Sequence, residues 1–336
     1  MGKGGYRLAE AFAAVEELPA LSESRGRVER LVSKPGSSVD EISEAVESDV
    51  GLAIAVLRAA SSANGRTTRL TGIPDAVEIL TASGVGAATD GVETYEFFES
   101  AGPWQGQPEQ FRRHALATRH AAERIAELAR LPAADELATA ALLHDVGRLV
   151  LMRLYPGYAD LLASEATPEE RLQVERKELG VDHALVGGVL VRRWGLAPEI
   201  GAAIERHHAD GADGAAAAIG LADLIAHHSQ GETISPERLA ELGSRVGIDP
   251  DRVRGLIYEF PYVRGPRRRS SEPCPLSGRE LDALRGLADG KVYKEIAEEL
   301  TLSASTVRTH LHNVYRKIGA VDRAQAVLIA RDRGWI

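Results

Sequence analysis

The chain of 336 residues contains one cysteine, Cys274, so no intrachain disulfide framework can form. A lone thiol fits a reducing compartment, and the expected location is the cytoplasm. Aromatic residues make up only 5% of the chain, and runs alternating apolar with polar residues are few. Strands draw on aromatic and β-branched residues at period two, so a sandwich or barrel is not expected. No apolar run approaches the ~20 residues that span a bilayer, which argues against a membrane partner. The opening stretch MGKGGYRLAEAFAAVEELPA carries acids early and lacks the apolar region of a secretory signal.

What is present is helical periodicity and an uneven charge. Apolar residues recur at steps of three and four over 9–18, 24–33, 39–47, 50–63, 74–81, 108–130, 134–154, 168–178, 182–194, 197–208, 214–229, 235–246 and 249–258. The expected fold class is therefore all-α. The whole chain carries a net charge of −9. Residues 262–336 hold 14 Lys and Arg against 9 Asp and Glu, a net of +5, which leaves −14 for residues 1–261. A basic tail on an acidic body suits a nucleic-acid partner for the tail and not for the body. A length of 336 residues exceeds one ordinary core. The stretch PYVRGPRRRSSEPCPLS, residues 261–277, breaks the periodicity with Pro, Gly, Ser and arginines. The expected division is a body of residues 1–260, a linker of 261–275 and a tail domain of 276–336. Arg267, Arg268 and Arg269 in the linker are candidates for phosphate contact.

The tail reads helix by helix. Ser277 and Glu280 form an S-x-x-E capping box ahead of an apolar stripe at Leu281, Leu284, Leu287 and Ala288. Gly290 supplies the stop. A short second helix over about 293–300 follows, then a turn at Thr301-Leu302. Ser303 caps the third helix, where Val307, Leu311, Val314 and Ile318 form one face. The opposite face carries Ser305, Arg308, Thr309, His312 and Arg316. An apolar seam behind a donor-rich face is what a major groove requires. A fourth helix over about 322–331, with Trp335 as a lid, would close the core.

Residues 275–336 resemble the helix-turn-helix of the LuxR family of bacterial transcription regulators. The resemblance implies a double-stranded DNA partner, action as a homodimer on paired half-sites, and base reading just after the T-V pair. Carried onto this chain, the reading positions are Arg308, Thr309 and His312. Arg308 has the fork geometry for guanine O6 and N7, and Thr309 has a methyl for thymine. Lys294, Ser305, Thr306 and Lys317 are placed for phosphates, which position without reading sequence. His312 stands where many relatives carry Lys or Arg, so its charge varies with pH.

In the body the string ALLHDVGRLVL, residues 141–151, holds the adjacent pair His144-Asp145. The pair resembles the signature of the HD superfamily of metal-dependent phosphohydrolases. Four further stretches extend the match: EAVESDVGLAIAVLRAASSANG (44–65), GIPDAVEIL (72–80), VDHALVGGVLVRRWGLAPEIGAAIERHH (181–208) and IGLADLIAHH (219–228). Together they resemble the HDOD domain of bacterial signalling proteins. The fold implied is an HD-superfamily helical HDOD domain joined to a four-helix LuxR-type domain. The superfamily's H…HD…D order falls on His114, His144, Asp145 and Asp223. His183, His207 and His208 occupy places where the related HD-GYP cyclic-di-GMP phosphodiesterases carry further ligands. Imidazole with carboxylate suits divalent Fe, Mn, Ni, Co or Zn. His120, His227 and His228 are expected on helix surfaces.

Three functions fit these residues. The first is a transcription regulator whose HDOD domain senses a small molecule or nucleotide and dimerises. The second is a metal-dependent phosphodiesterase acting on cyclic dinucleotides and coupled to DNA binding. The third is a signalling scaffold. Hydrolysis is not expected, because HDOD domains are generally regarded as non-catalytic. In addition the chain reads HHADGADG where G-Y-P should follow the His pair, and Arg148 replaces the usual Lys of H-D-x-G-K. The N-terminal residues do not read as a receiver domain, so control by aspartyl phosphorylation is not expected.

Overall fold

The structure, a computed structural model, describes residues 3–63, 65, 69–96, 107–162, 167–260, 274–288, 291–318, 320, 326–327, 330 and 335. The chain forms two compact units, Met1–Tyr262 and Val263–Ile336. Among the described residues no helix is long and apolar enough to cross a membrane.

The first unit begins with α1 (Lys3–Glu16), β1 (Ala20–Leu21), α2 (Ser22–Ser33), α3 (Val39–Glu47) and α4 (Val50–Ala63). Next come α5 (Ile73–Asp90), β2 (Thr94–Tyr95), α6 (Gln107–Ala129), α7 (Ala134–Leu143), α8 (Val146–Leu154) and α9 (Tyr158–Leu162). After α10 (Pro168–Val174) a π-helical turn spans Glu175–Leu179. The unit closes with α11 (His183–Arg193), α12 (Pro198–Arg206), α13 (Gly214–Ser229), α14 (Pro236–Arg245) and α15 (Pro250–Glu259). The two strands form one short parallel pair, Ala20 with Thr94 and Leu21 with Tyr95. Apart from these strands and an isolated parallel bridge between Leu70 and Leu196, the regular structure of the unit is helical among the described residues, as the scarcity of strand signals predicts.

Three helices differ instructively from the periodicity. The expected helix 134–154 is broken at the His144-Asp145 pair, where Asp145 adopts φ −99° and ψ 5°. Neighbours on a straight helix point about 100° apart, so the break is what lets both side chains face one interior. The helix expected to end at Thr81 continues to Asp90, but Thr81 itself sits at φ 59° and ψ 171°. A β-branched residue is strained at positive φ, which makes Thr81 a kink inside α5. The stretch 168–178 changes from α to π at Glu175, turning that carboxylate inward to 1% exposure.

Helix α13 is the axis of the unit and packs on α6, α7, α12, α14 and α15. Its sequence GAAAAIGLADLIAHHS is apolar round most of its girth, with Asp223 and His227 as buried exceptions, as a largely surrounded helix requires. Glycine sets the approach of α8 to α11: a Cβ on Gly147 would lie 1.9 Å from the His183 carbonyl oxygen.

The second unit contains α16 (Gly278–Ala288), α17 (Tyr293–Leu300) and α18 (Ala304–Ile318). The Ser277–Glu280 capping box forms in both directions, at 2.7 and 3.4 Å. Thr301 makes the turn at φ 56°, and Ser303 Oγ accepts from the Thr306 N–H at 3.1 Å. Val307, Leu311, Val314 and Ile318 are all buried against Ala283, Leu284, Leu287, Ile296 and Ala297. The stop at Gly290, Arg267, Arg268, Arg269 and most of the expected fourth helix lie outside the described residues. Within that fourth segment Ala326, Val327 and Ala330 are helical, and Ala326, Ala330 and Trp335 are buried.

Candidate metal centre and nucleic-acid interface

Residues far apart in the chain meet at one buried point of the first unit. His114 comes from α6, His144 and Asp145 from the α7–α8 break, and His183 from the first turn of α11. His207 and His208 follow α12, and Asp223 projects from α13. Asp223 Oδ1 lies 3.0 Å from His114 Nε2, 3.3 Å from His144 Nε2 and 3.2 Å from His227 Nε2. Asp145 Oδ1 lies 3.2 Å from His183 Nε2, while its Oδ2 accepts from Arg148 Nη1 at 2.9 Å. His183 Nε2 and His208 Nε2 are 3.1 Å apart. All seven residues predicted for this centre are thus brought together. Three overlapping triads have ligand atoms within 4.8 Å of one another: His183, His207 and His208; His114, His144 and Asp223; His144, Asp145 and His207.

The far ring nitrogens fix the tautomers. His144 Nδ1 bonds the Ala141 carbonyl at 2.8 Å and His207 Nδ1 the Ile204 carbonyl at 2.6 Å. Carbonyl oxygens only accept, so each Nδ1 carries a proton. Burial keeps the His207 ring neutral with its Nε2 lone pair inward, whereas for His144 burial opposes the charge but Asp145 and Asp223 push it up. Glu175 likewise accepts from His183 Nδ1–H at 2.8 Å, and although burial opposes the charge of this ring, Glu175 and Asp145 push it up. Backbone or carboxylate anchoring of one imidazole nitrogen is how proteins orient histidines toward a metal. His207 Nε2 is buried without a hydrogen-bond partner. An orphaned acceptor amid imidazoles and carboxylates is chemically matched by a divalent cation, so the donor set fits one.

The charges are strongly coupled. Burial pushes His207 down to about 4, helped by His144 and His183. Burial and the neighbouring His207 and His183 hold His208 well below the ordinary imidazole value. Burial works against ionised Asp145 and Asp223, yet both are held well below the usual carboxylate range. Arg148 and three histidines do this for Asp145, and His227, His114 and His144 for Asp223.

Two expectations fail here. His227 is 4% exposed, not a surface residue. Although burial opposes its charge, Asp223 and Glu232 push it up to about 9. Its Nδ1 lies 3.1 Å from Glu232 Oε2, without hydrogen-bond alignment. His228 is half-buried. The physical reason is that α13 has no solvent face over most of its length. The i, i+4 spacing of Asp223 and His227 signalled a shared face. His120 is exposed, as expected. Glu175 and Glu232 carried no sequence signal, being placed by a π turn and a loop.

In the second unit Ser305, Arg308, Thr309, His312, Arg316 and Lys294 are exposed, opposite the buried seam. Ser305 and Thr306 cluster with the capping Ser303, their hydroxyls 2.7 Å from its Oγ. Thr309 Oγ1 donates back to the Ser305 carbonyl at 3.0 Å. Lys317 Nζ donates to the buried Glu280 at 2.7 Å, bracing α18 against the α16 capping box. Its ammonium thus already has a partner within the unit.

Comparison with known proteins adds two families. Residues 18–210 match the HDOD domain, and the chain belongs to that family. Residues 274–330 match the bacterial regulatory proteins of the luxR family. Among relatives, the transcriptional regulatory protein DesR of Bacillus subtilis is 38% identical over 65 residues, 19% of this chain and 33% of that protein. The probable transcriptional regulatory protein NarL of Mycobacterium tuberculosis is 40% identical over 81 residues, 24% of this chain and 35% of that one. The chain therefore spans about a third of the length of these relatives. Among solved structures, the MmoQ response regulator of Methylococcus capsulatus has a TM-score of 0.57 at 23% identity, covering 72% of this chain and 98% of that one. A virulence factor of Campylobacter jejuni has a TM-score of 0.56 at 18% identity, covering 77% and 96%. At such identities the likeness concerns the fold.

Proposed function

We propose that the chain is a transcription regulator that binds double-stranded DNA through α18 and is controlled by its HDOD body. The observation that carries this reading is the division of α18, with Val307, Leu311, Val314 and Ile318 buried and Arg308, Thr309 and His312 exposed. Arg308, Thr309 and His312 read bases, and Lys294, Ser305 and Thr306 meet phosphates. Lys317 joins them only by sharing its ammonium with Glu280. The body pairs two chains, which matches two tails to two half-sites.

The body holds a divalent metal at His114, His144, Asp145, His183, His207, His208 and Asp223. The inward Nε2 atoms and the orphaned His207 nitrogen support this. An ion held by His114, His144 and Asp223 cross-links α6, the α7–α8 break and α13, so its role here is to lock one arrangement of the body. The centre also favours a second reading, hydrolysis of a cyclic dinucleotide, because metals of this kind activate water and stabilise phosphoryl oxygens.

The test uses the full chain: metal analysis, gel shifts against a promoter library, and a cyclic-dinucleotide hydrolysis assay. The expected result is bound metal, specific DNA binding and no turnover. Absence of specific DNA binding defeats the first reading, and metal-dependent turnover establishes the second.

A further inference from the structure

Beside the centre, a cavity of about 250 Å³ opens between α6, α8, α9, α10 and the C-terminal end of α13. Part of its lining is apolar, built from Phe111, Leu149, Met152 and Leu162. Two guanidinium groups, Arg148 and Arg171, also line it. Each engages one carboxylate through a single nitrogen: Arg148 Nη1 with Asp145 at 2.9 Å, and Arg171 Nη2 with Glu232. Their other nitrogens form no hydrogen bond with any described residue, and they are not sealed from solvent. A guanidinium has five N–H donors in a planar fork, so each retains donors for an oxyanion.

This arrangement is more than a solvated ion-pair surface. Both arginine side chains are mostly buried, at 25% and 16% exposure, and they share the cavity lining with apolar side chains. A charged head held there is desolvated, which strengthens its pairing with the guanidinium. The apolar wall then accepts a body without polar groups. The volume falls below the ~300–1,000 Å³ of drug-sized sites. The cavity is thus too small to enclose a cyclic dinucleotide.

We propose that this cavity is a binding site for a small amphipathic oxyanion. Its carboxylate, phosphate or phosphonate head meets Arg148 and Arg171, and a single ring or short chain lies on Phe111, Leu149, Met152 and Leu162. The proposal deepens the reading of the body as an input domain, from which it takes only the expectation of a ligand. Since Asp145 and His114 line both places, occupancy of the cavity is felt directly at the centre.

The test is calorimetry on the full chain, chelator-treated and metal-loaded in parallel, with benzoate, phenylphosphonate, inorganic phosphate and benzyl alcohol. In both forms, at least one aryl anion binds about tenfold more tightly than inorganic phosphate, since ring burial adds ~25 cal/mol per Å². Benzyl alcohol does not bind. Whichever aryl anion binds more tightly identifies the head group. Arg171→Gln weakens it by about tenfold, the loss of one charge-assisted hydrogen bond. Met152→Trp fills the cavity and removes the preference for an aryl anion over phosphate. Where Met152→Trp fails to fold by circular dichroism, Arg171→Gln alone decides. Equal binding of aryl anions and phosphate overturns the proposal, as do variants that bind like the parent. Metal content measured on the same samples keeps the two readings separate: anion binding without metal uptake leaves this proposal standing and removes the metal centre.

Discussion

Glu175 holds His183 twice. One carboxylate oxygen accepts from the His183 backbone N–H and from its ring Nδ1–H, each at 2.8 Å. The other accepts from the Tyr158 hydroxyl. The π turn that carries Glu175 thereby fixes the orientation and tautomer of a ring whose Nε2 faces Asp145 and His208. Glu175→Gln should lower metal affinity about 10- to 100-fold, as loss of an anchoring partner does. Competition with a chromophoric chelator measures it. Asp145→Ala should release the metal and lower the melting temperature, because a ligand bound only by the native state stabilises it. Cyclic-dinucleotide hydrolysis should stay at background in both variants and in the parent. Unchanged affinity in both variants would make the histidines purely structural.

Gly147 offers a test of packing. Its missing Cβ would meet the His183 carbonyl oxygen at 1.9 Å and the Gly187 nitrogen at 2.7 Å. Both are backbone atoms that no rotamer change can move. Gly147→Ala should destabilise the body by about 3 kcal/mol, at the upper end of ordinary overpacking. Urea titration checks it, and a change below ~0.5 kcal/mol would show that α8 and α11 are free to separate.

Glu47 gives a pH dependence. Burial pushes its carboxyl up to about 7; Arg119 opposes the rise, while Glu123, Asp135 and Glu44 add to it. The unfolded chain releases this proton near 4.5. Between pH 4.5 and 7 the native state binds more protons than the unfolded one, so stability from this group falls as pH rises through that window. Glu47→Gln should flatten the fall, and the variant should gain relative to the parent by at most about 3 kcal/mol between pH 4.5 and 7.5. Chemical denaturation across that range reads the difference; parallel curves would count against it.

Arg308→Ala should abolish specific operator binding and leave the fold intact, because the side chain is exposed and opposite the seam. A bidentate contact to guanine is worth about 1–3 kcal/mol. A gel-shift series with unchanged affinity and specificity would sink the assignment.

Residues 270–336 alone should bind DNA more weakly than the full chain, because they lack the pairing assigned to the body. Binding by the full chain should fall steeply with salt through counterion release. Equal affinity of fragment and full chain would show that the body supplies no dimerisation.

Much of this protein was fixed locally. Capping at Ser277 and Ser303, the steps of three and four along α18 and the largely apolar run of α13 act within a few residues of one another. Short-range chemistry of that kind appears directly in the order of the letters. The seven residues of the candidate centre were legible for a different reason, their resemblance to a known family, and the structure brings them together. The surroundings of that centre were not legible. By its letters His227 reads as a surface residue, because a helix end normally meets water, whereas here α13 packs against five helices. Glu175 and the Arg171–Glu232 pair depend on a π turn and on a loop 61 residues away, and no periodicity encodes such meetings. The break at His144-Asp145 likewise belongs to the fold: two adjacent side chains face one interior only where the helix yields, with α7 packed on α6 and α13 and α8 packed on α11.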